Sequence, residues 1–131
     1  MDIKDFNLPL LDEAVPPMME QYSKAHTKTW AAKIDSFDAY VFVTPEYNHA
    51  TSGALKNAID FLYAEWNNKA AGFVGYGSAG GTRAVESLRL VMGELQWPMC
   101  ATKSRSRSTQ ISRISASSTI SSTRGVPQRH A

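Results

Sequence analysis

Two apolar, strand-like runs in this chain each end in a polar corner and then lead into an amphipathic, helix-like segment. The runs 38–44 (DAYVFVT) and 70–76 (AAGFVGY) are continuous and rich in aliphatic and aromatic residues, which is typical of strands buried on both faces. Parallel strands require crossover connections, and these are usually helical. The alternation therefore predicts an α/β fold in which helices cover both faces of a parallel sheet.

Apolar residues at intervals of three and four predict the helices. A helix of about three turns is expected after Ser52 and Gly53, a second over 84–95, and a looser one over 18–36. A short strand is also predicted at Met1–Lys4, followed by a loop that extends to Pro17, the second of two consecutive prolines. A further strand is predicted to start at 98–102.

The composition changes abruptly at Lys103. Residues 103–131 contain nine serines, no acidic residue and no aromatic residue. Such a segment buries too little apolar surface to offset the entropy of ordering, so it is predicted to be a disordered tail after a folded domain at 1–102. Its serine-arginine dipeptides leave RNA binding as an alternative, which the lack of aromatic residues for base stacking disfavours.

Charge and cysteine content set further limits. Residues 1–100 hold 8 basic and 12 acidic side chains, a net charge of −4, so the excess positive charge belongs to the tail and does not indicate nucleic-acid binding by the domain. The single cysteine and the spacing of the three histidines give neither a disulfide framework nor a zinc site. With no secretory leader and no long apolar run, a soluble cytosolic protein is expected.

The two polar corners are PEYN at 45–48 and GSAGG at 77–81. Because each follows a buried parallel strand, both should lie at the same edge of the sheet, where ligands bind in this class. A phenol, an amide and a carboxylate beside closely spaced backbone N–H groups suit a flat heteroaromatic ligand. Residues 75–80 also match G-x-G-x-x-G, but no acidic residue follows near position 100 to hold a ribose, so the dinucleotide interpretation is weak.

The segments 44–63 (TPEYNHATSGALKNAIDFLY) and 72–89 (GFVGYGSAGGTRAVESLR) closely resemble the flavodoxin-like NAD(P)H-dependent FMN reductases, which include azo, quinone and chromate reductases. The segment 7–13 (NLPLLDE) resembles the region after that family's second strand. The resemblance covers about the first hundred residues. It implies a three-layer flavodoxin-like sheet, FMN as cofactor, NAD(P)H as donor, a small acceptor such as a quinone, an azo compound or free flavin, and a homodimer or homotetramer.

The resemblance also implies the cofactor-binding residues, which are Pro45, Glu46, Tyr47, Asn48, Ser78, Ala79, Gly80 and Gly81. No catalytic acid or base is expected, because the flavin performs the redox step. Four alternatives stay open. Glu46 could satisfy backbone donors near a helix start, Tyr47 could be a core or interface residue, Asn48 could form an Asx turn, and the glycines could serve only a tight turn.

The chain departs from the family's pattern at its start, and at its far end the basic tail stands where the family has its last strand and helix. The family's first strand and the Ser/Arg/Gly-rich loop that binds the FMN phosphate have no counterpart before NLPLLDE. The sheet is therefore expected to be incomplete, lacking its first βα unit, with an open edge on the strand 38–44. This leaves an alternative function class, a truncated or frameshifted inactive remnant that does not bind FMN tightly.

Overall fold

The parallel pair formed by β1 (Ala39–Pro45) and β2 (Ala70–Tyr76) is the centre of the structure, a computed structural model that describes residues 1–95, 103–105 and 119–122. All seven residues of each strand pair in register, from Ala39 opposite Ala70 to Pro45 opposite Tyr76. The helices are α1 (Ala25–Asp35), α2 (Gly53–Asp60) and α3 (Thr82–Glu94), with short 3₁₀ helices at Ile3–Phe6, Pro17–Met19 and Ala64–Trp66. The two predicted parallel strands and the two later helices are thus confirmed within a few residues.

The N-terminal predictions need correction. Met1–Lys4 is not a strand, because Asp2 caps the 3₁₀ helix Ile3–Phe6 by accepting a hydrogen bond from the Lys4 amide at 3.0 Å. The helix expected from residue 18 begins only at Ala25. Pro17 starts a single 3₁₀ turn, and Glu20 then adopts a left-handed conformation (φ 54°) that an α-helix cannot continue through.

An aromatic core joins the sheet to the helices. Tyr40 and Phe42 on β1 and Phe73 on β2 point to one face, where Tyr40 and Phe42 contact Trp66, and Trp66 in turn contacts Trp30 of α1. Buried residues of α1, α2 and α3 belong to the same core. The opposite face carries valines that are only partly buried, at 41, 43 and 74, so the described residues supply two of the three predicted layers.

Two further strands cover the sheet edges, giving the order β3-β2-β1-β4. β3 (Lys103–Arg105) pairs parallel with β2, and β4 (Thr119–Ser122) pairs antiparallel with β1. The sequence predicted a wholly disordered tail, whereas these seven residues form strands, and the edge of β1 that was predicted to be open is paired with β4 at Tyr40–Val43. The reason is that an unpaired strand edge offers a row of hydrogen-bonding groups that even a polar segment can satisfy through its backbone. The predicted strand start at 98–102 lies outside the described residues.

Helix α1 is capped by a side chain from the preceding loop. The Glu13 carboxylate accepts hydrogen bonds from the amides of Ser23 and Lys24, both at 2.9 Å, and from the Ser23 hydroxyl at 2.7 Å. Desolvation opposes ionisation, but these donors outweigh it and lower the pKa of Glu13 from 4.5 to about 2. The ionised carboxylate therefore stabilises the first turn of α1.

Strand β2 and the start of α3 approach so closely that no side chain fits between them. A Cβ on Gly81 would lie 2.4 Å from both the carbonyl carbon of Gly75 and the amide nitrogen of Tyr76, and the Gly81 backbone is left-handed (φ 68°). Only glycine is compatible with this contact.

Gly81→Ala should therefore lower the free energy of unfolding by about 2 kcal/mol or more, because the new methyl group overlaps backbone atoms. Gly93→Ala is the matched control, since it adds the same methyl group to the same helix in open space. Its higher helix propensity should raise the stability by about 0.5–1 kcal/mol. Urea unfolding followed by circular dichroism measures both, and a Gly81→Ala variant as stable as the wild type would contradict the close approach.

The stability advantage of the wild type over Glu13→Gln should depend on pH. The folded-state pKa is depressed, so the advantage is fully present above about pH 5 and declines as the pH falls towards 2. Urea midpoints of both proteins at neutral pH and at two acidic values test this. A difference that stays constant across the range would show that the Glu13 charge does not stabilise the cap.

Candidate functional site

The first polar corner is a tight two-residue turn. The amide of Tyr47 donates to the carbonyl of Ala50 at 3.0 Å, and the amide of Ala50 donates back to the carbonyl of Tyr47 at 2.9 Å. Asn48 and His49 between them both have positive φ values, 47° and 66°, without a glycine at either position. This conformation costs of order 1–3 kcal/mol per residue and is concentrated at functional sites. It leaves Tyr47 57% exposed.

The second polar corner turns from β2 into α3 over residues 77–81. The amide of Gly80 donates to the carbonyl of Gly77 at 2.9 Å, and the Thr82 hydroxyl donates to the carbonyl of Ala79 at 2.9 Å. Ser78 is exposed and Ala79 is partly exposed. The corner therefore presents mostly backbone, which a flat ligand can approach closely.

Glu46 joins the two corners. Its amide donates to the carbonyl of Tyr76 at 2.9 Å, at the point where Pro45 and Tyr76 are register partners. Its carboxylate accepts from the Arg83 amide at 3.0 Å and from the Arg83 guanidinium at 3.2 Å. Desolvation opposes ionisation, but the donors from Arg83 and Ala84 lower the pKa of Glu46 below its ordinary value. The prediction that both corners lie side by side at one sheet edge is confirmed.

The predicted site residues therefore share one edge of the sheet but differ in their exposure to solvent. Tyr47, Asn48 and Ser78 are exposed, Ala79 and Gly80 are partly exposed, and Pro45 and Gly81 are buried. The Glu46 side chain is 6% exposed and bonded to the start of α3, as the alternative interpretation of this residue expected. Contact between these residues and a cofactor stays a prediction.

Tyr76 is a candidate site residue that the sequence interpretation missed. It ends β2 directly before the glycine corner and is partly exposed. Desolvation, and then the nearby Tyr47, raise the pKa of Tyr76, which places the two phenols in one electrostatic environment. The continuous apolar run predicts a buried strand and gives its last residue no separate role, although a position at the carboxyl end of a parallel strand is itself a signal of a site residue.

The groups exposed at this edge suit the binding of a flat ring. Two phenols, an amide and backbone N–H groups can stack on and hydrogen-bond a flat ring. Among residues 1–95 and the two tail strands, no group of three or more His, Cys, Asp or Glu residues could hold a metal ion. Within the same part of the chain, no helix is long and apolar enough to cross a membrane.

Comparison with known proteins gives consistent relatives. Residues 1–109 match the family described as NADPH-dependent FMN reductase. The NAD(P)H-dependent FMN reductase ntnL of Nectria sp is 49% identical over 98 residues, covering 69% of this chain and 49% of that protein. The NAD(P)H-dependent FMN reductase LOT6 of Saccharomyces cerevisiae is 38% identical over 102 residues, covering 73% and 53%. An NAD(P)H:quinone oxidoreductase of Solanum tuberosum is 38% identical over 80 residues, covering 58% and 37%.

A solved structure agrees with these relatives. FerB, a flavoenzyme NAD(P)H:(acceptor) oxidoreductase from Paracoccus denitrificans, superposes with a TM-score of 0.62 at 25% identity, covering 78% of this chain and 57% of FerB. The predicted α/β flavodoxin-like fold with an incomplete sheet is confirmed. The chain spans about half the length of the curated FMN reductases it matches. By its family match and its relatives, the chain belongs to the NADPH-dependent FMN reductases.

Proposed function

We propose that this chain binds the ring of FMN between its two polar corners and takes part in NAD(P)H-dependent electron transfer to a small acceptor. The observation that supports this most directly is the juxtaposition of the exposed Tyr47 turn with the backbone of residues 77–81 in a member of this family. When bound, FMN supplies a carrier that accepts hydride from a nicotinamide and passes electrons on.

The residues of the edge have separate roles in this proposal. Tyr47 and Tyr76 supply aromatic surface, and the Asn48 side chain and the backbone amides of Ser78 and Ala79 supply hydrogen bonds to polar ring edges, whereas the Gly80 amide is used within the turn. These groups are flat, uncharged and rich in hydrogen-bond donors, so they suit the ring of FMN. The buried pair of hydroxyls of Thr44 and Thr51, 2.7 Å apart beneath the turn, holds it in place.

Quinones are the acceptor class that the relatives support best, because a relative with 38% identity is named a quinone oxidoreductase. Azo compounds and free flavin are further members of the proposed acceptor set. A cytosolic location belongs to the same proposal and is supported by the single cysteine in the chain.

The full chain should bind FMN, and Tyr47→Ala should raise the dissociation constant about tenfold because it removes stacking worth roughly 1–2 kcal/mol. Gly80→Asp should also weaken binding, because it places a side chain and a negative charge where the ring's carbonyl edge would lie. Quenching of flavin fluorescence measures both. Gly93→Asp is the matched control, since it adds the same group in open space at the opposite end of α3.

FMN affinity unchanged in both Tyr47→Ala and Gly80→Asp would refute the site. The activity part is tested by following NADPH and NADH oxidation by the FMN-loaded chain with a benzoquinone. A chain that binds FMN but shows no oxidation above that of free FMN would retain the binding proposal and refute the reductase proposal.

A homodimer or homotetramer is also part of the proposal. A groove of about 310 Å³ lies between Pro16–Met18 and the ends of α2 and α3, and Leu90 on α3 is 80% exposed. Burying these apolar groups against a second copy would stabilise association. Leu90→Glu should therefore shift the sedimentation coefficient towards the monomer at micromolar concentration, and a wild-type chain that sediments as a monomer would contradict the assembly.

A further inference from the structure

Helix α3 begins without a cap of its own. Its N-cap is Gly81, which has no side chain, so the first amides of the helix need acceptors from elsewhere. Glu46 supplies them from a different corner. Its carboxylate accepts from the amide of Arg83 at 3.0 Å and from the amide of Ala84, in the first turn of α3. A carboxylate at this position also interacts favourably with the helix dipole.

The Glu46 carboxylate is held from several sides. The side chain is 6% exposed, and the amide of the same residue is fixed to the carbonyl of Tyr76 at 2.9 Å. A Cβ on Gly77 would lie 3.1 Å from the Glu46 Cβ, so the two corners touch directly at this residue. Glu46 is thus a rigid connection between the turn after β1 and the turn after β2.

The Arg83 guanidinium is the weaker part of this connection. Its Nη1 lies 3.2 Å from Glu46 Oε1, and the Arg83 side chain is 50% exposed. An exposed ion pair contributes little, whereas charge-assisted bonds from backbone amides to a sheltered carboxylate are about twice as strong as neutral ones. The amide contacts should therefore dominate.

We propose that Glu46 is a positioning residue that fixes the glycine corner 77–81 relative to Tyr47 and Asn48, rather than a ligand whose carboxylate contacts the flavin. This inference rests on the proposed function, because the gap it sets is the proposed ring site. If so, the spacing between the two polar corners depends on the cap that Glu46 provides at the start of α3.

Glu46→Gln tests the proposal in the full 131-residue chain. Glutamine keeps the size of the side chain but replaces one acceptor oxygen by a donor, so the two helix amides and the guanidinium can no longer all be satisfied. Glu13→Gln is the matched control, because Glu13 also caps a helix by accepting from two backbone amides, at a distance from the site. Both variants should lose similar global stability.

Amide hydrogen exchange without flavin gives the first readout. Exchange over residues 78–86 should accelerate about fivefold or more in Glu46→Gln and stay within twofold of the wild type in Glu13→Gln, whose acceleration should be confined to residues 23–28. Unchanged exchange over 78–86 in Glu46→Gln would overturn the inference. Glu46→Asp, whose shorter side chain cannot span the same distance, serves as a second variant if glutamine prevents folding.

FMN affinity gives the second readout. Glu46→Gln should raise the dissociation constant about tenfold and change the visible circular dichroism of the bound flavin, Arg83→Ala should have a smaller effect, and Glu13→Gln should have none. Equal destabilisation by both glutamine variants with unchanged flavin affinity would show a merely structural role and overturn the proposal. A wild-type chain that fails to bind FMN would refute the proposed function, while hydrogen exchange would still decide the role of Glu46.

Discussion

The in-register parallel pairing of β1 with β2 is the constraint on which the rest of the structure depends. Because Pro45 stands opposite Tyr76, both strands end at the same level, and the two turns that follow start next to each other. A shift of one residue would place Phe42 and Phe73 on opposite faces of the sheet and would offset the two turns along the strand direction. The same register therefore fixes both the aromatic core and the candidate site.

Local patterns were sufficient for this part of the fold. Continuous apolar runs identified β1 and β2, and apolar spacing identified α2 and α3, because burial selects those patterns directly. The start of α1 and the pairing of 119–122 with β1 were not accessible in this way. The first depends on a cap from Glu13, ten residues before Ser23, and the second on backbone pairing that leaves no side-chain periodicity.

The candidate site was likewise predictable from the sequence only in part. The positions of Tyr47 and Ser78 at one edge followed from strand order alone. The environment of Glu46 did not follow from the sequence, because its carboxylate accepts a hydrogen bond from Arg83, which lies 37 residues further along the chain. Sequence proximity grouped Glu46 with its exposed neighbours, whereas the fold buries its carboxylate against the helix. Motif membership thus predicted that these residues share one edge of the sheet, but it did not distinguish the exposed groups from the group that supports them.

The strained turn at Asn48 and His49 can persist because both of its flanks are held. Before it, β1 is paired along its whole length, and the Thr44 hydroxyl is bonded to that of Thr51. After it, Ser52 caps α2 by accepting from the Leu55 amide at 3.3 Å, and the indoles of Trp30 and Trp66 donate to carbonyls in the last turn of that helix at 2.8 and 3.0 Å. Relaxing the turn would require moving one of these flanks, which costs more than the strain releases. The aromatic core, although distant from the exposed edge, therefore helps to fix the direction of Tyr47.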